Sequence, residues 1–216
     1  MDGLEMYRHM FNKPRNRTCS GCDGETKQKR ANSICKPASC YKDKILTLGD
    51  AYGSWKSWDH CPSGSWVVSF QTKVESDQGG GSIHFTDDSA LNAILMTCSD
   101  RLFTKISSGQ QVWGEWRGES NTCQNGFSRF TLKIEEEQGG NLFQDDSTTN
   151  AIRMWCTENE TWYKSGEGDW GEWTPTEYCP TGYRITGIKT QIESNQGGGD
   201  DSALNGVQLI CKYFGN

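Results

Sequence analysis

Three times in this chain a glycine run, a pair of aspartates and a short apolar stretch lead to a cysteine. Gln78 opens QGGG and, five residues on, DDSALNAILMTC ending at Cys98. Gln138 opens QGG and, four residues on, DDSTTNAIRMWC ending at Cys156; Gln196 opens QGGGDDSALNGVQLIC ending at Cys211. Before each copy stand a W-x-x-W pair and another cysteine: Trp55/Trp58/Cys61, Trp113/Trp116/Cys123 and Trp170/Trp173/Cys179. The first tryptophans are 58 and 57 residues apart, and the closing cysteines 58 and 55. So long a period, met three times, marks three copies of one supersecondary unit. Units of that size struggle to bury a core alone, so they are expected to share one interior. The reading is a basic, cysteine-rich tail over 1–42 and a three-repeat domain over 43–216, with repeats at about 52–109, 110–167 and 168–216.

Within each copy the apolar positions alternate. Phe70, Thr72 and Val74 line up with Phe130, Leu132 and Ile134, and with Ile188, Thr190 and Ile192. In the closing strands Ile94 and Met96, Ile152 and Met154, and Val207 and Leu209 share a column with the cysteines, while Leu95, Arg153 and Gln208 face the other way. Period-two spacing of this kind gives sheets with one buried and one solvated face. Three such faces are stable only when they meet, which makes a three-sided prism; a β-trefoil is the competing threefold solution. Three copies are too few for a propeller. The repeat length leaves room for a four-stranded sheet per copy. A further strand is expected at Lys44 to Leu48, closed by the turn Gly49-Asp50. The 25 glycines and 33% hydrophobic content agree with an all-β, turn-rich chain.

Charge narrows the partners. Residues 1–50 carry a net +4 and residues 51–216 a net −10. An acidic repeat domain lacks the basic stripe that neutralises phosphates, so nucleic acid is not an expected partner. No apolar run reaches the length of a membrane span. The amino end, MDGLEMYRHMF, shows no signal-peptide pattern, and the chain is read as a mature form or a truncated gene product. Secretion is nonetheless the expectation, from ten cysteines, nine tryptophans and the sequons at Asn16 and Asn159. Repetition alone suggests the pairs Cys61–Cys98, Cys123–Cys156 and Cys179–Cys211. Cys19, Cys22, Cys35 and Cys40 are spaced for either a zinc site or two disulfides; an oxidising setting favours pairing among themselves, with no metal and no cofactor.

The W-x-x-W pair, the long strand ending in Lys/Gln-x-Glu, the Q-G-G loop, the Asp-Asp-Ser-Ala-Leu-Asn run and the closing cysteine, found in triplicate over about 44–216, resemble the vitelline membrane outer layer protein family. The resemblance implies a β-prism of three Greek-key sheets about a pseudo-threefold axis. It also implies secretion into egg coats, tears or other extracellular layers, and an ability to transfer N-acetylglucosamine oligosaccharides. The tail and the loop insertions of the first two copies depart from the family pattern.

The carboxylate pairs Asp87/Asp88, Asp145/Asp146 and Asp200/Asp201 are the first candidates for chemistry, as glycosidic acid and nucleophile or as calcium ligands. Neighbours in sequence diverge on extended backbone, and a motif present in every copy answers a structural need more readily than a catalytic one. Asp and Asn side chains beside turns accept backbone N–H bonds, a role also open to Asn92, Asn150 and Asn205. The same reasoning assigns Trp55, Trp113 and Trp170 to core packing. Ligand contacts are expected where the copies differ, at His84, Phe85 and Phe143 in the inserts, together with the aspartate pairs. Three scattered histidines offer no hydrolytic triad. The expected function is a secreted structural or adhesive component of an extracellular coat that binds glycans or other coat proteins, with self-association left open. Two alternatives stand beside it: a transglycosylase on N-acetylglucosamine oligomers, and a lectin with one defined sugar pocket.

Overall fold

In a computed structural model, residues 41–49, 53–75, 91–135, 149–193 and 204–215 are described. Lys42–Asn216 forms a compact unit, and its described residues contain strands and turns but no helix. The chain opens with β1 (Lys44–Gly49), β2 (Ser54–Trp55) and β3 (Asp59–His60). The long hairpin β4 (Val67–Val74) and β5 (Leu91–Cys98) follows, then β6 (Lys105–Ile106) and β7 (Glu115–Trp116). The pattern recurs as β8 (Phe127–Ile134), β9 (Thr149–Cys156), β10 (Thr161–Lys164), β11 (Glu172–Trp173) and β12 (Glu177–Tyr178). It ends with β13 (Tyr183–Ile192) and β14 (Leu204–Tyr213).

These strands form three antiparallel sheets. Sheet I has the order β6-β5-β4-β7, sheet II β10-β9-β8-β11 with β12 also on β8, and sheet III β1-β14-β13-β2 with β3 also on β13. In sheets I and II the chain makes a hairpin, adds a third strand to one edge, and crosses to the far side of the first strand, which is a Greek key; sheet III has the same arrangement with its edge strands drawn from the start of the domain. The sheets are therefore not the sequence repeats. The Trp-bearing strand of one copy pairs with the long strand of the copy before it: β7 on β4, and β11 on β8. The first copy has no predecessor, so β1, β2 and β3 complete sheet III around β13 and β14. The two ends of the domain are thus hydrogen-bonded into one sheet, and the ring closes.

The alternating columns meet at the centre. Phe70, Phe130, Leu132, Ile94, Met96, Ile152, Met154, Ile188, Val207 and Leu209 are all fully buried in one cluster. Phe70 and Phe127, from neighbouring sheets, meet edge to face at 5.8 Å. The disulfides Cys61–Cys98, Cys123–Cys156 and Cys179–Cys211 sit at one end of the sheets, each tying the approach to a long strand to the end of its hairpin partner. They close 37, 33 and 32 residues respectively, loops for which a cross-link contributes about 3–4 kcal/mol.

The seams between sheets solve a backbone problem. The fourth strand of each sheet is irregular, which leaves an N–H of the long strand without a ladder partner. At two seams a serine from the neighbouring sheet fills the gap. Thr190 N donates to Ser108 Oγ at 2.9 Å, and Ser108 Oγ donates to Ser57 O at 2.7 Å. Thr72 N donates to Ser165 Oγ at 3.1 Å, and Ser165 Oγ donates to Gly118 O at 2.6 Å. In the third register the serine position is Leu48, which packs on the core. There Leu132 N donates instead to Thr174 Oγ1 at 3.2 Å, from its own sheet. A hydroxyl is supplied each time, from whichever side offers one.

Candidate functional site

The outer faces of the three sheets can be compared rung by rung, because directly paired residues share a face. On the rung nearest the Gly-rich loops the three sheets agree: Ala93–Lys73–Trp116, Ala151–Lys133–Trp173 and Gly206–Gln191–Trp55. The small residue leaves room for the indole; a Cβ on Gly206 would lie 3.1 Å from Trp55. Lys73 donates to Gln111 O and Val112 O, and Lys133 to Gly168 O and Asp169 O, so both ammonium groups tie down the crossover to the next strand. Gln191 does the same toward Gly53 O. Before each of these tryptophans lies a glycine with positive φ, Gly53 at 92°, Gly114 at 77° and Gly171 at 91°. A Cβ there would meet the backbone of the long strand at about 2.5 Å, so only glycine fits.

That register corrects the tryptophan alignment. The equivalent set is Trp55, Trp116 and Trp173; the W-x-x-W of the first copy is three residues out of step with the other two. Nor do the first tryptophans of the later pairs pack in the core. Trp113 is 45% and Trp170 57% exposed on the crossovers, because the glycine that follows turns the chain outward before the strand begins.

On the rung nearest the disulfides the sheets disagree. Sheet III carries Ile45–Ile210–Gly187–His60, an apolar strip ending in a histidine stacked on Trp58 at 5.5 Å. Sheet I carries Lys105–Thr97–Ser69, gathered by Glu119. Glu119 Oε1 accepts from Ser69 Oγ at 2.7 Å, Thr97 Oγ1 at 2.6 Å and Lys105 Nζ at 2.9 Å. The hydroxyl bonds from Ser69 and Thr97, and then Lys105, outweigh partial burial and hold the Glu119 carboxyl down to about 2.

Sheet II carries Trp162–Trp155–Arg129–Tyr178, one residue from each of four strands. Trp155 and Trp162 meet edge to face at 5.4 Å, and the Arg129 guanidinium lies 5.1 Å from the Trp155 ring. One rung away, Arg153 is clasped between Trp162 at 4.8 Å and Trp173 at 4.2 Å. Its Nε is buried and has no hydrogen-bond partner among the described residues. Tyr178 is 66% exposed. The outward residues of these three rungs are aromatic, basic or neutral, with no acid among them. At the margin Lys164 pairs with Glu167.

Asp87, Asp88, Asp145, Asp146, Asp200, Asp201, His84, Phe85 and Phe143 lie outside the described residues, as do Cys19, Cys22, Cys35, Cys40 and Asn16. The strand ends that flank the three Gly-rich stretches, Val74 and Leu91, Ile134 and Thr149, Ile192 and Leu204, are at the end of each sheet away from the disulfides. Asn159 is exposed in the β9–β10 turn, where its Nδ2 donates to Tyr163 OH. Asn92, Asn150 and Asn205 are buried, and the carbonyls of Asn92 and Asn150 accept Gln111 N and Gly168 N. The one grouping of possible metal ligands among the described residues, Cys123, Cys156 and Glu158, includes a disulfide and so offers no thiolate.

Sequence reading missed the sheet II face. Its signal was visible in part: the outward residues of the closing strand, Leu95, Arg153 or Gln208 and then Thr97, Trp155 or Ile210, are where the three copies disagree most.

Comparison with known proteins agrees with this architecture. The solved structure of Calystegia sepium agglutinin superposes with a TM-score of 0.50 over 81% of this chain and 99% of that one, at 9% identity, a likeness of fold. A human protein described as vitelline membrane outer layer protein 1 homolog is 32% identical over 174 residues, 77% of this chain and 80% of its own length. The mouse protein of that description is 31% identical over 175 residues, 77% and 81% of the two chains. Residues 45–214 match the family model for vitelline membrane outer layer protein I. The chain belongs to that family.

Proposed function

We propose that this protein is an extracellular coat or matrix component that holds carbohydrate or other coat proteins on the outer faces of a rigid prism. The observation that carries this reading is the contrast between rungs. The rung that holds the crossovers follows one pattern in every sheet, while the outward rung near the disulfides is different in each. A scaffold that keeps its crossovers and varies its outward rungs is a frame on which different contact surfaces can be carried. The relatives are named as homologs of a vitelline membrane outer layer protein, and three disulfides suit an oxidising compartment. The test is a glycan array together with pull-downs from coat or mucus extract, using the full chain. Binding to members of either set is the expected result; binding to neither refutes the reading.

A further inference from the structure

We infer that the outer face of sheet II is a binding site for an anionic polysaccharide, one bearing carboxylate or sulfate groups. The inference rests on the carbohydrate-binding reading above and adds to it a place and a charge. An aromatic ring with an open face packs the apolar face of a sugar ring, and this sheet sets the half-buried Trp162 and Trp155, edge to face with each other, and the exposed Tyr178 in one line across its strands. Strands about 4.8 Å apart make that line about 14 Å long, room for more than one ring.

Charge selects among sugars. Residues 51–216 carry 22 acidic against 12 basic residues, yet the rungs of this face present none of the acids. The cations it presents are constrained in a telling way. Lys133 is held by two backbone carbonyls and Lys164 is paired with Glu167, so the cations with donors left for a ligand are Arg129 and Arg153. Among the described residues both guanidinium groups meet indoles rather than carboxylates. Stacking orients a guanidinium without neutralising it, and leaves its N–H edge for an oxyanion. A carboxylate or sulfate beside a stacked sugar ring answers both halves of the site. The matching rung of sheet I is the internal control, because its cation Lys105 is already engaged by Glu119.

The experiment measures binding of the full chain to immobilised polysaccharides. The probes are hyaluronan (carboxylate), chondroitin sulfate (carboxylate and sulfate), dextran and chitin oligomers (neutral), and poly(U) as a phosphate polymer with stacking bases. Retention by hyaluronan or chondroitin sulfate, weakening as salt is raised and at least about tenfold tighter than dextran, is expected. Hyaluronan binding shows that a carboxylate suffices; chondroitin sulfate binding alone shows that sulfate is needed. Arg129→Gln, at an exposed position, is expected to weaken binding about tenfold and Trp162→Ala by a similar factor, whereas Lys105→Gln leaves it within about twofold. Unchanged thermal melting of Arg129→Gln keeps its loss assigned to the face. Equal retention by dextran or chitin oligomers, equal or tighter retention by poly(U), or full binding by both sheet II variants overturns the inference. Binding to neutral glycans alone would overturn it while leaving the broader proposal standing; binding to no polysaccharide, with an array and pull-down that also fail, would sink both.

Discussion

The two ends of each sheet obey different rules. Near the Gly-rich loops the three outer rungs repeat a small residue, a Lys or Gln, and a tryptophan preceded by a left-handed glycine. Near the disulfides the same geometric position holds a Trp–Arg–Tyr line, an ion-and-hydroxyl cluster, or an apolar strip. The first rung lies where the chain must cross from one edge of a sheet to the other, so its side chains are spent on holding that crossover. The second lies beside a register shift of each long strand, between Val67 and Ser69, Phe127 and Arg129, and Ile185 and Gly187, and its outward side chains hold no crossover. The side chains that hold the crossovers follow one pattern in the three copies, and those of the rung near the disulfides do not.

That contrast can be broken at its strongest point. Gly171→Ala places a Cβ about 2.5 Å from the backbone of Ile134 and Glu135 and demands a positive φ of alanine. A loss of about 3 kcal/mol in urea unfolding is expected, against less than about 1 kcal/mol for Arg129→Ala on the variable rung. Similar losses from the two would mean that the shared rung is no more structural than the other.

The seams give a second, smaller test. Ser165→Ala leaves Thr72 N without its acceptor and should cost about 2 kcal/mol. Thr174→Val should cost about as much, because it alone serves Leu132 N at the seam where Leu48 replaces serine. Adding Leu48→Thr, which returns a hydroxyl to that seam, is expected to rescue part of the second loss and none of the first.

An inequality inside the shared framework should run the other way. Thr149 stands where the other hairpins have Leu91 and Leu204, and its buried hydroxyl finds no partner among the described residues. Thr149→Val is therefore expected to stabilise by about 1 kcal/mol, visible as a raised Tm. A lower Tm would show that the hydroxyl is satisfied.

The smallest effect belongs to the sheet I cluster. Glu119 titrates at about 2 when folded against an ordinary 4.5, so between those values the unfolded chain binds the extra proton. Its contribution is fully present above about 4.5 and fades as pH falls toward 2. Exposed ion pairs of this kind are worth at most about 1 kcal/mol, so Glu119→Gln should be slightly less stable than the parent at pH 7 and equal to it near pH 2. A difference that persists in acid would show that the carboxylate charge is not what matters.

The alternating columns of Phe70, Thr72 and Val74 and their counterparts, and the triple repeat itself, determined that three amphipathic units would share one core, because period two gives each a face to bury; between a prism and a trefoil the strand pairing decided. The sequence did not determine which strand lies beside which. The W-x-x-W spacing suggested one tryptophan register and the crossover glycines imposed another. Tyr178 meets Arg129 only because β12 returns along β8, and Trp162 meets Trp155 only because β10 folds back on β9. A face assembled from four strands depends on hydrogen-bond register and Greek-key order, which are settled by long-range pairing; periodicity along the chain reports which side a residue faces, but not its neighbours across the sheet.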